Sequence, residues 1–105
     1  MITDSKIDSI IDREYQDFIL TEYDEFSKNY ESYPSDELNF QLNFDEYVRQ
    51  LPDSEIADWV YREVKDFDDR DEDKAVEAIR KQISLTTDRI LTREHKNLMW
   101  SLCNA

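Results

Sequence analysis

Carboxylates are the most abundant chemically active residues in this sequence, and their spacing begins as a regular row. Asp4, Asp8 and Asp12 stand four residues apart, which places them along one side of a helix. Four residues of helix rise about 6 Å, a spacing comparable to that of phosphates along one DNA strand. Like charges at this spacing destabilise a helix by a few tenths of a kcal/mol, so the row does not help the chain to fold. We therefore interpret it as a surface for a positively charged partner.

The acidic excess continues well beyond this first row. Residues 1–69 hold 20 acidic and 6 basic residues, a net charge of −14, whereas residues 70–105 hold 6 acidic and 7 basic residues, a net charge of +1. Direct binding to nucleic acid is not expected, because it depends on Lys and Arg that neutralise phosphates. The alternative interpretation is a solvated face that maintains solubility. The candidate partner-binding residues are Asp8, Asp12, Asp17, Glu22, Asp24, Glu25, Asp36, Glu37, Asp45, Glu46, Asp58, Glu63, Asp66, Asp68 and Asp69.

The other reactive residue types form no catalytic or metal-binding pattern. A twelve-residue calcium loop starting at Asp66 would place Arg70 at a ligand position and Asp71 where the turn requires glycine. His95 and Cys103, the single histidine and the single cysteine, lie two helical turns apart and predict neither a zinc site nor a base–nucleophile pair. Among 26 carboxylates, pairs suited to acid–base catalysis arise by chance. We predict no enzymatic activity, no metal and no cofactor.

Composition indicates a helical protein with one domain over residues 1–105. Hydrophobic residues make up 39% of the chain, which is enough for a core, and glycine is absent. Glycine supplies the positive-φ positions of tight hairpin turns, so its absence disfavours a β-rich fold. A lone cysteine allows no internal disulfide, and no apolar stretch approaches the length of a membrane span. These features predict a cytoplasmic protein that does not enter the membrane.

Hydrophobic spacing predicts a compact bundle of about five helices. Helices are expected over residues 4–31, with a break near Thr21, and over residues 54–67 and 73–85. Thr87 or Asp88 is expected to cap a last helix. All six tyrosines lie in the acidic part of the chain, mostly at predicted edges of the core.

One segment carries a different pattern. Leu38, Phe40, Leu42 and Phe44 alternate with polar residues, which predicts an extended segment near 37–44 laid over the helices. The alternative is a ladder between two copies of the chain. A capping box, Asn43 with Glu46, would then open a short helix that continues to Leu51.

The chain resembles in character the acidic, mostly helical DNA-mimic inhibitors of phages and mobile elements, such as the antirestriction protein Ocr and several anti-CRISPR proteins. The resemblance consists of size, helix content, the absence of disulfides and the carboxylates crowded between Asp4 and Asp69. No motif aligns, so no individual residue role is transferred. The resemblance implies an inhibitor that occupies the nucleic-acid site of a basic defence or DNA-processing protein in the host cytoplasm. It also suggests a homodimer.

The near-neutral C-terminal third departs from this resemblance. Under it, the last helix would be core or dimer contact, with the residues Leu91, Leu98, Trp100 and Leu102. Two alternatives remain from the sequence. One is an immunity protein or antitoxin that neutralises a basic nuclease toxin. The other is a non-enzymatic adaptor with an apolar interface centred on residues 38–44.

Overall fold

A computed structural model describes residues 2–27 and 35–103, and within these ranges the chain forms an all-helical bundle. The predicted all-α class is confirmed, and the described ranges contain no strand. The elements are α1 (Asp4–Thr21), α2 (Tyr23–Ser27), α3 (Asp36–Gln50), α4 (Asp53–Glu63), a 3₁₀ turn (Asp69–Asp71) and α5 (Glu72–Cys103).

Helix α1 begins and ends where the sequence predicts. The Thr3 hydroxyl accepts a hydrogen bond from the Lys6 amide at 3.2 Å, which caps the first turn. The break near Thr21 is confirmed, because α2 starts anew at Tyr23. The end of the predicted 4–31 segment, together with Pro34, lies outside the described residues.

An aromatic cluster joins α1, α2 and α3 at the centre of the core. Phe18 is 2% exposed, and its ring lies 5.6 Å from that of Phe44 and 4.9 Å from that of Tyr47. Phe26 of α2 makes an edge contact with Phe18 at 5.9 Å. Such pairs add about 0.5–1.5 kcal/mol each beyond the apolar area that they bury. The short helix α2 is thereby held against the bundle.

The predicted extended segment near 37–44 is wrong, because it lies within helix α3. Ser35 caps this helix by accepting a hydrogen bond from the Leu38 amide at 3.3 Å. The alternation of polar and apolar residues is misleading here, since α3 packs against α1, α2 and α5 and is buried on several sides. Buried Gln41 and Asn43 find partners within the helices, the Thr87 hydroxyl and the Asn39 carbonyl oxygen. Polar positions can therefore be buried without a strand.

The two proposals attached to that segment also change. Asn43 and Glu46 lie in the interior of α3 and do not cap a separate helix. A two-chain ladder has no strand to build on in the described residues.

Helix α4 runs from Asp53 to Glu63 and so ends four residues before the predicted boundary at residue 67.

Arg80 of α5 fixes the junction between α3 and α4. Its guanidinium donates to the carbonyl oxygens of Val48 and Leu51 at 3.0 and 2.8 Å, and to the Asp53 carboxylate at 2.9 Å. These carbonyls belong to the end of α3, where the backbone lacks helical partners. One side chain thus closes one helix and anchors the start of the next.

The predicted break at Thr87 or Asp88 is wrong, because α5 is continuous over 32 residues. The Thr87 hydroxyl donates to the Ile83 carbonyl oxygen at 3.0 Å, which satisfies a threonine in a helix interior and removes its capping role. At 1.5 Å per residue the helix is about 48 Å long, close to the 55 Å length of the molecule.

The C-terminal end of α5 contributes little to the core of this chain. Ile90 is the last buried residue among the side chains that the structure describes on this helix. Beyond it, Leu91 is 39% exposed, Trp100 69% and Leu102 66%. His95 and Cys103 are both exposed on the surface of the helix.

Candidate partner-binding site

Arginines hold a defined subset of the carboxylates. Six of the seven arginines make an ion pair within 4.0 Å in the described parts of the chain. The pairs are Arg13–Glu63, Arg49–Asp45, Arg62–Glu14, Arg70–Asp68, Arg80–Asp53 and Arg93–Glu37. Nearly all the arginines are thus paired with carboxylates of the same chain, while the chain has twice as many acidic as basic residues.

Four of the fifteen candidate residues take part in these pairs. Glu37, Glu63 and Asp68 pair with arginines while keeping part of their surface open to solvent. Asp45 departs from the prediction of a surface residue, since it is 6% exposed. Its Oδ1 accepts from Arg49 at 2.6 Å, and its buried Oδ2 has no hydrogen-bond partner among the described residues. Asp45 is therefore part of the packing between α3 and α5.

The other eleven candidates remain at the surface. Asp24 and Glu25 are exposed on α2, and Glu46 is half-buried on α3. The remaining eight are exposed and make no ion pair with any residue that the structure describes: Asp8, Asp12, Asp17, Glu22, Asp36, Asp58, Asp66 and Asp69. Asp66 adopts φ of 60°, a left-handed conformation that aspartate tolerates better than most residues.

A cleft between α1, α3 and α5 brings three of the candidates together. It has a volume of about 280 Å³, and Asp8, Asp12 and Glu37 line it together with Gln41. The apolar lining consists of Ile11, Tyr15, Phe44, Ile83 and Ile90. The four-residue spacing on α1 thus produces a pair of carboxylates on one flank of the helix, as predicted, and α3 adds a third from across the cleft.

The opposite flank of α1 carries a different group. Glu14 pairs with Arg62 of α4 at 3.0 Å, and Arg13 pairs with Glu63 of α4 at 2.6 Å. Burial raises the pKa of Glu14, Arg62 opposes this, and neighbouring Asp17 adds to the increase. Asp17 therefore lies with this second group and not with the cleft.

Three tyrosines report the local concentration of negative charge. Burial raises the pKa of Tyr15, and Glu37 and Asp12 raise it further. Burial likewise raises the pKa of Tyr47, with Glu22 as the next largest cause. The pKa of Tyr61 is also raised, first by desolvation and then by a hydrogen bond to Glu72. Different carboxylates thus surround Tyr15, Tyr47 and Tyr61.

Sequence reasoning missed Gln41 as a member of the cleft. Gln41 is 7% exposed, and its Nε2 donates to the Thr87 hydroxyl at 3.0 Å. The available signal was its position four residues after Glu37, which places both on one face only if the segment is helical. Predicting an extended segment there removed that signal.

No metal site, no membrane-spanning segment and no relative adds to this description. The described residues contain no group of three or more His, Cys, Asp or Glu side chains that could hold a metal ion. None of the described helices has both the length and the apolar character needed to cross a membrane. Comparisons with protein-family models, with curated proteins and with solved structures gave no match.

Proposed function

We propose that this protein is a DNA-mimic inhibitor that binds a basic protein in the cytoplasm and blocks its nucleic-acid site. The target would be a nuclease, a restriction enzyme, a CRISPR effector or another DNA-processing protein. Inhibition is competitive, because the carboxylates pair with the Lys and Arg side chains that otherwise contact phosphates. No chemical step is required of the inhibitor.

One observation carries this proposal: exposed carboxylates remain in excess after the arginines of the chain have formed their ion pairs. Asp8 and Asp12 are exposed at helical spacing and make no ion pair with the described residues, although they repel each other. Folding gains nothing from this arrangement. Solubility requires net charge but does not require adjacent carboxylates on a cleft.

Capture from host lysate tests the proposal. The wild-type protein and the double charge reversal Asp8→Lys/Asp12→Lys are immobilised in parallel, and bound proteins are identified by mass. We expect the wild type to retain a nucleic-acid-binding protein that is released by added DNA and by raising the salt from 50 to about 200 mM. The reversal variant should lose the partner while its circular dichroism stays helical.

The matched control is Asp88→Lys, which reverses a charge on an exposed residue of α5 that is neither a candidate partner-binding residue nor part of the cleft. It should keep most of the binding. Retention of the same partner by a folded Asp8→Lys/Asp12→Lys variant, or a partner that DNA does not displace, contradicts the proposal.

The shape of the cleft favours one second candidate, an immunity protein or antitoxin for a basic nuclease toxin. An apolar lining below a carboxylate rim suits a specific fit to a single protein better than a general phosphate decoy. Capture of one nuclease whose bound state survives excess DNA supports this candidate over the DNA mimic.

A further inference from the structure

We infer that the cleft between α1, α3 and α5 binds one arginine side chain of the basic partner, with the guanidinium at the carboxylate rim and the aliphatic stem against the apolar lining. This inference deepens the proposed function, because it names the group that the partner inserts. It also stands on the cleft itself, so it can be tested without the partner.

The apolar part of the cleft fits the stem of a long cationic side chain. Ile11, Ile83 and Ile90 line it together with the rings of Tyr15 and Phe44. Arginine and lysine bury their methylene stems against apolar surface and keep the charged end at polar groups. Gln82 and Thr86 complete the lining with uncharged polar groups. A phosphate, a nucleotide or an acidic peptide would be repelled by the carboxylates of Asp8, Asp12 and Glu37.

The polar part of the cleft offers hydrogen-bond acceptors from two helices. Asp8 and Asp12 reach it from α1 without an ion pair to any described residue, and Glu37 reaches it from α3 while sharing its charge with Arg93. A guanidinium carries five N–H donors and no acceptor. It is therefore complementary to this set of oxygens.

Gln41 adds an uncharged acceptor to the cleft. The residue lines the cleft and is only 7% exposed. Its Nε2 donates to the Thr87 hydroxyl, which leaves Oε1 as the acceptor of the amide. A guanidinium N–H in the cleft can donate to this oxygen.

Tyr15 favours arginine over lysine. Its ring forms part of the lining, and its hydroxyl lies in a field that disfavours negative charge, since burial, Glu37 and Asp12 all raise its pKa. The negative charges of Glu37 and Asp12 favour a cation beside the ring, whereas burial disfavours a charge of either sign. A planar guanidinium stacks on an aromatic ring and bonds several acceptors at fixed angles, whereas an ammonium is a compact point charge.

Nuclear magnetic resonance with a minimal probe tests the inference. The wild-type protein is titrated with arginine capped as N-acetyl-arginine-N-methylamide, and with the citrulline analogue, which has nearly the same shape but no charge. We expect the arginine probe to shift the Gln41 side-chain amide and the Tyr15 ring signals, with saturation at millimolar concentration, on the order of 1 mM. The citrulline probe should shift them far less.

Two matched variants locate the binding. Asp12→Asn removes a carboxylate from the cleft and should weaken the arginine probe about tenfold, the effect of losing one charge-assisted hydrogen bond. Asp88→Asn makes the same chemical change at an exposed position of α5 that does not line the cleft, and it should leave the titration unchanged. Equal responses to the two probes, or equal losses in the two variants, would overturn the inference.

Failure here is distinguishable from failure of the proposed function. If DNA-displaceable capture of a basic protein persists but the capped arginine gives no saturable shift at Gln41, the arginine site is wrong and the proposed function stands. If the probe binds but no nucleic-acid-binding protein is captured, the proposed function fails and the cleft remains an arginine site.

Discussion

The two flanks of helix α1 handle negative charge in opposite ways. On the flank that faces α4, Arg13 and Arg62 form reciprocal pairs with Glu63 and Glu14 across the interface. On the flank that faces α3 and α5, Asp8 and Asp12 are exposed beside an apolar cleft and make no ion pair with the described residues. The first arrangement joins two helices, whereas the second leaves charge at the surface.

This contrast shows that the open carboxylates do not follow simply from a shortage of arginine. The same helix supplies Arg13 to its paired flank, and α5 supplies Arg93 to Glu37 at the edge of the cleft. Asp8 and Asp12 remain exposed beside the cleft, where a partner can reach them. Under the proposed function, stability and binding belong to different flanks, and variants on each flank should separate the two properties.

The largest effect on stability is expected from removing the two arginines that form ion pairs between α1 and α4. The double variant Arg13→Ala/Arg62→Ala should lower the free energy of unfolding by about 1–2 kcal/mol, because Glu14 and Glu63 are mostly buried and would lose their partners. Urea denaturation followed by circular dichroism measures the change. Arg89→Ala is the control, since Arg89 is exposed and has no ion pair in the described residues. A loss of stability no greater than in this control would contradict a stabilising role for the two pairs.

A smaller effect, dependent on pH, should come from Glu14 alone. Burial raises its pKa above the ordinary 4.5 in the folded state, so the folded protein binds the proton more tightly than the unfolded chain. Between 4.5 and the raised value, stability therefore falls as the pH rises. Above that window the difference is constant. The free energy of unfolding of wild type relative to Glu14→Gln should rise as the pH is lowered through the window, and a flat difference would contradict this prediction.

The smallest effect has the opposite sign and belongs to the open flank. Asp8→Asn or Asp12→Asn should raise the free energy of unfolding by a few tenths of a kcal/mol, because each change removes a repulsion between like charges four residues apart. Asp58→Asn should leave stability unchanged or lower it slightly, since Asp58 lies four residues before Arg62. Destabilisation by either change on the open flank would show that these carboxylates serve the fold.

The sequence predicts the apolar surfaces of α1 and α4 well, because their buried apolar residues recur at helical spacing. Ile7, Ile10 and Phe18 are buried on α1, and Ile56 and Val60 on α4, as the helical spacing requires. Residues 36–50 could not be assigned in this way. Helix α3 buries polar and apolar residues alike, so its sequence has no single-faced pattern.

The cleft could not be predicted from the sequence for the same reason. Spacing alone placed Asp8 and Asp12 on one flank of a helix. Adding Glu37 and Gln41 requires knowing that α3 is helical and that it packs beside α1 and α5. The continuity of α5 depends on a similar tertiary detail, because the Thr87 hydroxyl donates to the Ile83 carbonyl oxygen of the same helix and accepts from Gln41 of α3.

The salt dependence of partner binding tests the central claim most directly. The affinity of the captured partner is measured between 50 and about 200 mM salt for wild type and for Asp8→Asn/Asp12→Asn, alongside the unfolding free energy of both proteins. We predict that the double variant is slightly more stable, binds more weakly and depends less on salt. Unchanged affinity and an unchanged salt slope in the folded variant would contradict the claim that these carboxylates exist to bind a basic protein.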